Sequence, residues 1–111
     1  MKIVLNRSVG RSFCLSQKAI ERLFELKRDV GNNEKLYLSK DRGKLAEAST
    51  REWSRRIARN DLDLIRVVQE LGREAAAFES ELVIVEIPET STWHVSEVVG
   101  YEFVVADGRA H

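Results

Sequence analysis

The chain has few of the residues that build cross-linked or membrane-spanning structures. Cys14 is its single cysteine among 111 residues, which excludes an internal disulfide framework and a zinc site held by several thiolates. No apolar run approaches the roughly 18 residues that a membrane-spanning helix needs. The first residues turn polar too soon for a signal peptide. We therefore expect a cytoplasmic protein.

A net charge is also absent, because 18 basic residues balance 18 acidic ones. The balance hides a division along the chain. Residues 1–59 carry fifteen Lys or Arg against seven Asp or Glu, and residues 60–111 carry three against eleven, which gives +8 and −8. This asymmetry concerns solubility and partners rather than the fold. The zero sum argues against strong nonspecific binding to nucleic acid, since the acidic half repels a phosphate backbone.

The apolar share of 43% fits a single α+β domain over residues 1–111 with a modest core. Short apolar runs predict buried strands at 2–6 and at 82–87. Residues 93–105 alternate in polarity, with Gly100 near the middle, and this pattern predicts a β-hairpin.

Two helices are predicted from apolar residues at helical spacing. The first runs from about Gln17 to Asp29, with Ser16 as its N-cap. The second begins after Asn60 or Asp61, and Gly72 marks a break within it. Its apolar face consists of Leu64, Val67, Val68, Leu71, Ala75 and Phe78.

The middle of the chain has the weakest pattern. Residues 35–39 alternate like a strand, and residues 40–51 are polar and predict a loop. We prefer a strand at 52–58, where Trp53 and its neighbours alternate. A helical face is the alternative for this region: Leu45, Ala48, Ser49, Trp53 and Ile57. From Asp107 onward we expect a tail.

The predicted order is strand, helix, strand, strand, helix, strand and a hairpin. It matches a ferredoxin-like βαββαβ sandwich with an added C-terminal β-hairpin. This fold hosts many unrelated functions, so it fixes none of them.

Four segments resemble a family of small, mostly uncharacterised proteins encoded in tailed-phage and prophage genomes. They are MKIVLNRSVGRSFCLS, RNDLDLIRVVQELGREA, LVIVEIPE and TWHVSEVVGYEFV. The chain departs from the family pattern in its first loop, which lacks a glycine pair, and at Leu62, where the family has proline. The resemblance implies a shared origin and fold, and it offers no established activity to carry over.

Arginines concentrate where the first strand leads into the first helix, and again just before the second helix. Free backbone N–H groups and the helix dipole favour an anion at such positions. The predicted ligand-binding residues are Asn6, Arg7, Gly10, Arg11, Ser12, Arg59 and Asn60. The loop matches neither the dinucleotide fingerprint nor the P-loop. A solvated loop with ordinary surface arginines is the alternative.

A second set of residues predicts contact with a macromolecule: Trp53, Arg55, Arg56, Trp93 and Tyr101. In a two-fold homo-oligomer, the basic residues of one copy would meet the acidic residues of another. Nucleic-acid binding by the basic segment 40–59 is an alternative.

Catalysis by Cys14 with His94 as its base is a further alternative, although a lone cysteine between apolar neighbours usually packs in the core. Asp61, Asp63 and His94 supply oxygen and nitrogen atoms that bind metals, but the place of the two aspartates at a helix start explains them as caps. We therefore expect no catalytic residue, metal or cofactor. The expected function is a phage accessory protein that binds or inhibits a host protein or a phosphate-bearing small molecule, including an anti-defence role.

Overall fold

The computed structural model describes residues 1–27, 47–89 and 92–111, and they form an α+β fold with two antiparallel sheets, which confirms the predicted class. The helices are α1 (Gln17–Lys27), α2 (Glu47–Arg56) and α3 (Leu62–Leu71), and α3 continues into a 3-10 turn at Gly72–Ala75. The strands are β1 (Lys2–Asn6), β2 (Leu82–Glu86), β3 (Trp93–Val98), β4 (Tyr101–Ala106) and β5 (Arg109–Ala110). In this part of the chain, no helix is both long and apolar enough to cross a membrane.

Strand β1 lies between two cores, which explains its run of apolar residues. It pairs antiparallel with β2, with Lys2 opposite Glu86 and Asn6 opposite Leu82. Val4 faces the helices, whereas Ile3 and Leu5 face the sheet of β3, β4 and β5. All three side chains are fully buried. The two-stranded sheet is thus the middle layer of the fold.

Helices α1 and α3 pack on the face of the two-stranded sheet that carries Val4. Their predicted apolar faces are buried in this contact. Ser16 caps α1 by accepting a hydrogen bond from the Ala19 amide at 3.1 Å. Asp61 caps α3 in the same way, from the Leu64 amide at 3.0 Å. Gly72, with φ of +55°, ends α3 where the sequence predicts a break.

The strand predicted at 52–58 is wrong, and so is the part of the predicted loop that falls in α2. Trp53 and Ile57 are four residues apart, so a helix places both in the core. The ring of Trp53 meets that of Phe24 edge-on at 5.3 Å. The predicted strand at 35–39 lies outside the described residues. The ferredoxin-like order is therefore not confirmed.

Strands β3 and β4 form the predicted hairpin, with Val98 opposite Tyr101 across a two-residue turn. The tail predicted from Asp107 is wrong in part, because β5 pairs with β4. A second two-residue turn, Asp107–Gly108, joins β4 to β5, and both of its residues have positive φ, +52° and +80°. An Asp-Gly pair favours this conformation, and it gives the chain a third strand here.

Candidate functional site

Asn6, at the end of β1, holds the first loop against the turn of the β3–β4 hairpin. Its side-chain amide donates to the carbonyl oxygens of Arg11, at 2.8 Å, and Gly100, at 3.0 Å. Its Oδ1 accepts from the backbone amides of Ser8 and Glu81. The side chain is fully buried, so Asn6 organises the loop from within and does not face a ligand.

Arg59, another predicted ligand-binding residue, is neutralised inside the chain. Its guanidinium donates two hydrogen bonds to the Glu102 carboxylate, at 2.6 and 2.8 Å, and lies 3.6 Å from the ring centre of Phe13. The side chains of Arg59 and Glu102 are 20% and 10% exposed. An anion at this place would have to displace Glu102 from a two-pronged contact.

The same pair closes the second edge of β1. The Val4 amide donates to the backbone oxygen of Arg59 at 2.8 Å, and the Asn6 amide donates to Glu102 at 2.7 Å. Sequence reasoning missed Glu102. The signal that predicts its burial is the period of two along β4, which places Glu102 on the same inward face as Val104 and Ala106.

The two arginines of the first loop differ in their partners. Arg11 forms an exposed ion pair with Glu79. Arg7 donates from Nη1 to the Tyr101 hydroxyl at 2.7 Å and from Nη2 to the backbone oxygen of His111 at 2.9 Å. Its guanidinium lies 4.9 Å from the ring centre of Tyr101. Within the described residues, no carboxylate side chain pairs with Arg7.

The other predicted ligand-binding residues do not converge on one site. Gly10, with φ of +79°, donates from its amide to the Val99 oxygen at 2.6 Å, and Ser12 is exposed. Asn60 contacts Met1 instead. It lines an open groove of about 610 Å³ beside the start of α3, and the charged residues of this groove are two basic and two acidic ones, Lys2, Arg66, Glu86 and Glu89. The groove presents no surface of one charge sign.

Trp53 was predicted at a partner interface, and the structure corrects this, because it is a core residue that is 7% exposed. Trp93 is the first residue of β3, is half-buried, and packs on the core between β1 and the three-stranded sheet. Arg55 and Arg56 lie exposed on α2, and Tyr101 is exposed beside Arg7.

The structure separates Cys14 from the surface on which His94 lies. Cys14 is 1% exposed and accepts a hydrogen bond from the Ser54 hydroxyl at 3.9 Å, whereas His94 is exposed on β3. Across the described ranges, no group of three or more His, Cys, Asp or Glu residues has the arrangement of a metal site.

An ion-pair cluster joins the end of α1 to the start of α3. The Lys27 ammonium lies 2.7 Å from Asp61 and 2.9 Å from Asp63. Burial disfavours these charges, but the hydrogen bonds outweigh it, so the pKa of Lys27 is raised. The pKa of Asp61 is lowered against the same burial, by Lys27 and by the Leu64 amide. Asp61 thus caps α3 as predicted, Asp63 lies in its first turn, and the pairing of both carboxylates with Lys27 was not predicted.

An apolar surface lies where the first loop meets the hairpin turn. We call it the hairpin tip and define it as Val9, Val98, Val99 and Tyr101. Their exposures are 67%, 61%, 70% and 36%, in that order. The bond from Gly10 to Val99 brings the loop beside the turn. Exposed apolar residues that adjoin one another mark interaction surfaces more often than isolated ones do.

Val99 is in a backbone conformation that its side chain disfavours. Its φ is +49°, in the left-handed region, where a β-branched residue is an outlier. The Asp107–Gly108 turn adopts similar φ values with residues that favour them. The Val99–Gly100 turn thus has valine where asparagine or aspartate is usual, and that valine is 70% exposed.

Phe78 shows the same combination of exposure and positive φ. Its φ is +52°, it is 42% exposed, and the guanidinium of Arg51 lies 4.4 Å from its ring centre. It was predicted on the apolar face of the second helix, but α3 ends before it. The next residue, Glu79, forms the ion pair with Arg11 and so connects Phe78 to the loop at the hairpin tip.

In comparisons with protein-family models, curated proteins and solved structures, the chain matched none. The candidate site is therefore defined by its own geometry, as an apolar surface with arginines beside it on a small α+β protein.

Proposed function

We propose that the chain is a binding protein that holds a partner protein at the hairpin tip. The observation that carries the proposal is Val99, an exposed apolar residue in a conformation that costs its side chain free energy. Folding gains nothing from an apolar side chain that stays in water. A partner that buries Val99 would provide that gain.

The residues around Val99 suit a protein contact. Tyr and Arg are enriched among the residues that dominate binding at protein interfaces. Tyr101 and Arg7 lie together at the tip, and their mutual hydrogen bond and stacking hold them in place. A preorganised pair loses little side-chain entropy on binding.

The proposed partner offers an apolar segment with a carboxylate beside it. The carboxylate would face Arg7, which pairs with no carboxylate side chain in the described part of the chain. The sequence resemblance to tailed-phage and prophage proteins makes a host protein the partner that we propose, with binding or inhibition as the outcome.

The ion pairs favour this proposal over a phosphate-bearing ligand. Arg59 is bound by Glu102 and Arg11 by Glu79, which leaves fewer cations for a phosphate than the sequence suggests. Two arginines of the basic segment are likewise engaged within the chain, which weighs against nucleic-acid binding. Arg51 contacts the ring of Phe78, and Arg59 is largely buried. Lys40, Arg42 and Lys44 lie outside the described residues.

The test is a capture experiment from host lysate with the tagged full chain and three variants. Val99→Asn keeps the turn and removes the apolar side chain, and Tyr101→Ala removes the ring. Asp107→Asn is the control, because it also places asparagine at the first position of a two-residue turn with positive φ, at a different place on the chain.

We expect one protein to be retained by the wild type and by Asp107→Asn, and to be lost with Val99→Asn and Tyr101→Ala. Retention of the same proteins by all four chains would contradict the proposal. So would retention of nucleotides or nucleic acid in place of a protein.

A further inference from the structure

Strand β2 has the sequence of a central strand but lies at the edge of its sheet. Leu82, Val83, Ile84 and Val85 are consecutive apolar residues, a pattern typical of strands covered on both faces. In β1, the corresponding run from Ile3 to Leu5 is fully buried. In β2, each of the four residues is only half-buried.

The open edge of β2 follows from its pairing with β1. Bonds from Arg7 to Glu81 and from Ile87 to Met1 fix which residue pairs carry hydrogen bonds. The alternation of an antiparallel ladder then turns the N–H and C=O groups of Leu82, Ile84 and Glu86 away from β1. In the described part of the chain, these N–H and C=O groups have no hydrogen-bond partner.

Edge strands usually carry a device that prevents pairing, such as a lysine, a proline or a bulge. Residues 82–85 contain no such residue, and their register with β1 is continuous. The outer edge of β3 differs, because the exposed His94 and Glu97 lie within that strand, whereas the exposed Glu86 of β2 is its last residue. Among the strands in the described part of the chain, β2 therefore has the edge best suited to add a strand.

We propose that β2 pairs antiparallel with β2 of a second copy of this chain. A two-fold axis at Ile84 brings the outward-facing groups of the two strands together in one register. Ile84 then lies opposite Ile84 of the second copy, and Leu82 lies opposite Glu86 of the second copy. The result is a four-stranded sheet in which the half-buried residues of β2 become covered.

Charge complementarity at the ends of the strand favours a second copy as the occupant. The start of α3 lies beside Glu86, at the open groove, and the 3-10 turn that ends α3 packs against β2. This turn carries Arg73, which is exposed. Within the described ranges, neither Arg73 nor Glu86 has an ion-pair partner.

Antiparallel pairing brings Glu86 of the second copy to the Leu82 end of β2. By the direction of α3, that is the end at which Arg73 lies. The two-fold axis produces this contact twice, so the pairing joins two arginines to two glutamates. This inference uses no residue of the hairpin tip and stands apart from the proposed function.

The experiment is sedimentation of the full chain over a range of micromolar concentrations, with charge reversals. We expect a dimer for the wild type. Arg73→Glu and Glu86→Arg each place like charges together, and each should raise the dimer dissociation constant at least about tenfold. The double variant restores opposite charges and should return the constant toward that of the wild type. Glu97→Arg, on β3, is the matched control and should not change it.

Hydrogen exchange gives a readout that does not depend on variants. The amides of Leu82, Ile84 and Glu86 should exchange more slowly as the concentration of the chain rises. A chain that remains monomeric overturns the proposal, as does a dimer in which these amides stay unprotected. A dimer whose constant is unchanged by Arg73→Glu and Glu86→Arg also overturns it, because the β2 edges would then not be in contact.

Discussion

At the scale of single residues, Glu102 connects three parts of the fold. Its carboxylate accepts from the backbone amide of Asn6 in β1 and from Nη1 and Nη2 of Arg59, while its own backbone belongs to β4. A charge that is 90% buried is tolerated because each oxygen has a donor. The contact explains why Arg59, which looks like a ligand-binding residue in the sequence, has an internal role.

The substitution Glu102→Gln should lower the free energy of unfolding by about 3 kcal/mol, because it leaves the Arg59 charge largely buried without a counter-charge. Chemical denaturation measures this value. Glu52→Gln removes the carboxylate of an exposed pair with Arg56 and should cost about 0.5 kcal/mol or less. Equal losses in the two variants would contradict the role assigned to Glu102.

Asp61 gives a prediction about pH. Its pKa is lowered in the folded chain, so its charge stabilises the fold above the ordinary value of about 4, and the contribution is lost as the pH falls through the lowered value. Asp61→Asn keeps an N-cap and removes the charge. We expect the free energy of unfolding to fall by about 1 kcal/mol at neutral pH, a small value because solvent screens the partly exposed pair.

The prediction is checked by measuring the free energy of unfolding of the wild type and of Asp61→Asn between neutral and acid pH. The two curves should converge as the pH falls below 4, because the wild-type carboxylate then becomes neutral. A difference that stays constant down to acid pH would show that the Lys27–Asp61 contact does not stabilise the fold through charge.

At the scale of elements, the β3–β4 turn is fixed by its contact with the first loop. Gly100 has φ of +84°, and a Cβ on it would overlap the backbone oxygen of Arg11. Gly108 has nearly the same φ, +80°, with open space around it. A substitution at Gly108 therefore measures the cost of a positive φ alone. The same substitution at Gly100 adds the cost of the contact with the backbone of Arg11.

Gly108→Ala should cost about 1 kcal/mol, from the left-handed backbone alone. Gly100→Ala should cost at least about 3 kcal/mol, since the loop must also move. Thermal unfolding of the two variants gives the comparison. A Gly100→Ala variant as stable as Gly108→Ala would show that the loop does not press on the turn.

The elements that the sequence predicts well are those whose pattern has one interpretation. Ser16 and Asp61 mark the starts of α1 and α3, and the apolar runs mark β1 and β2. Helix α2 was mistaken for a strand, because Trp53 and Ile57 satisfy both an alternating and a helical spacing. Strand β5 has only two residues, which is too short for an alternating pattern, so the Asp107–Gly108 pair was its one local signal, and we expected a tail there instead.

The candidate site depends on contacts between residues distant in the chain, and so it was predicted only in part. Arg7, Gly10 and Tyr101 were selected from the sequence, and the structure brings them together around the hairpin turn. The role that we propose for Val99 depends on its φ and its exposure, which the sequence does not show. The pairing of Arg59 with Glu102 requires β4 to lie against β1, which the sequence does not show.

At the scale of the whole molecule, the charge division along the chain becomes a set of internal contacts. Arg59 meets Glu102, Arg11 meets Glu79, and Lys27 meets Asp61, so that basic residues of the first half pair with acidic residues of the second. Much of the asymmetry is therefore used to join the two halves in folding. In the described part of the chain, the arginines without an ion-pair partner include Arg7 of the first half, at the hairpin tip, and Arg73 of the second half, beside β2.

The two proposed surfaces use different parts of the molecule. The hairpin tip is formed by the first loop and the β3–β4 turn, whereas the edge of β2 lies on the side of that strand away from β1. A dimer formed through β2 would carry two hairpin tips. Failure of one proposal leaves the other standing, because their residues and their measurements do not overlap.

Under the proposed function, Val99 is kept at the hairpin tip for binding rather than for folding. Val99→Asn tests this by two measurements, thermal unfolding of the free chain and calorimetric titration with the captured partner. We predict that the Tm rises by about 4 °C, because asparagine relieves about 1 kcal/mol of backbone strain, and that affinity falls at least about tenfold. Unchanged affinity for the partner would contradict the claim, as would a lower Tm.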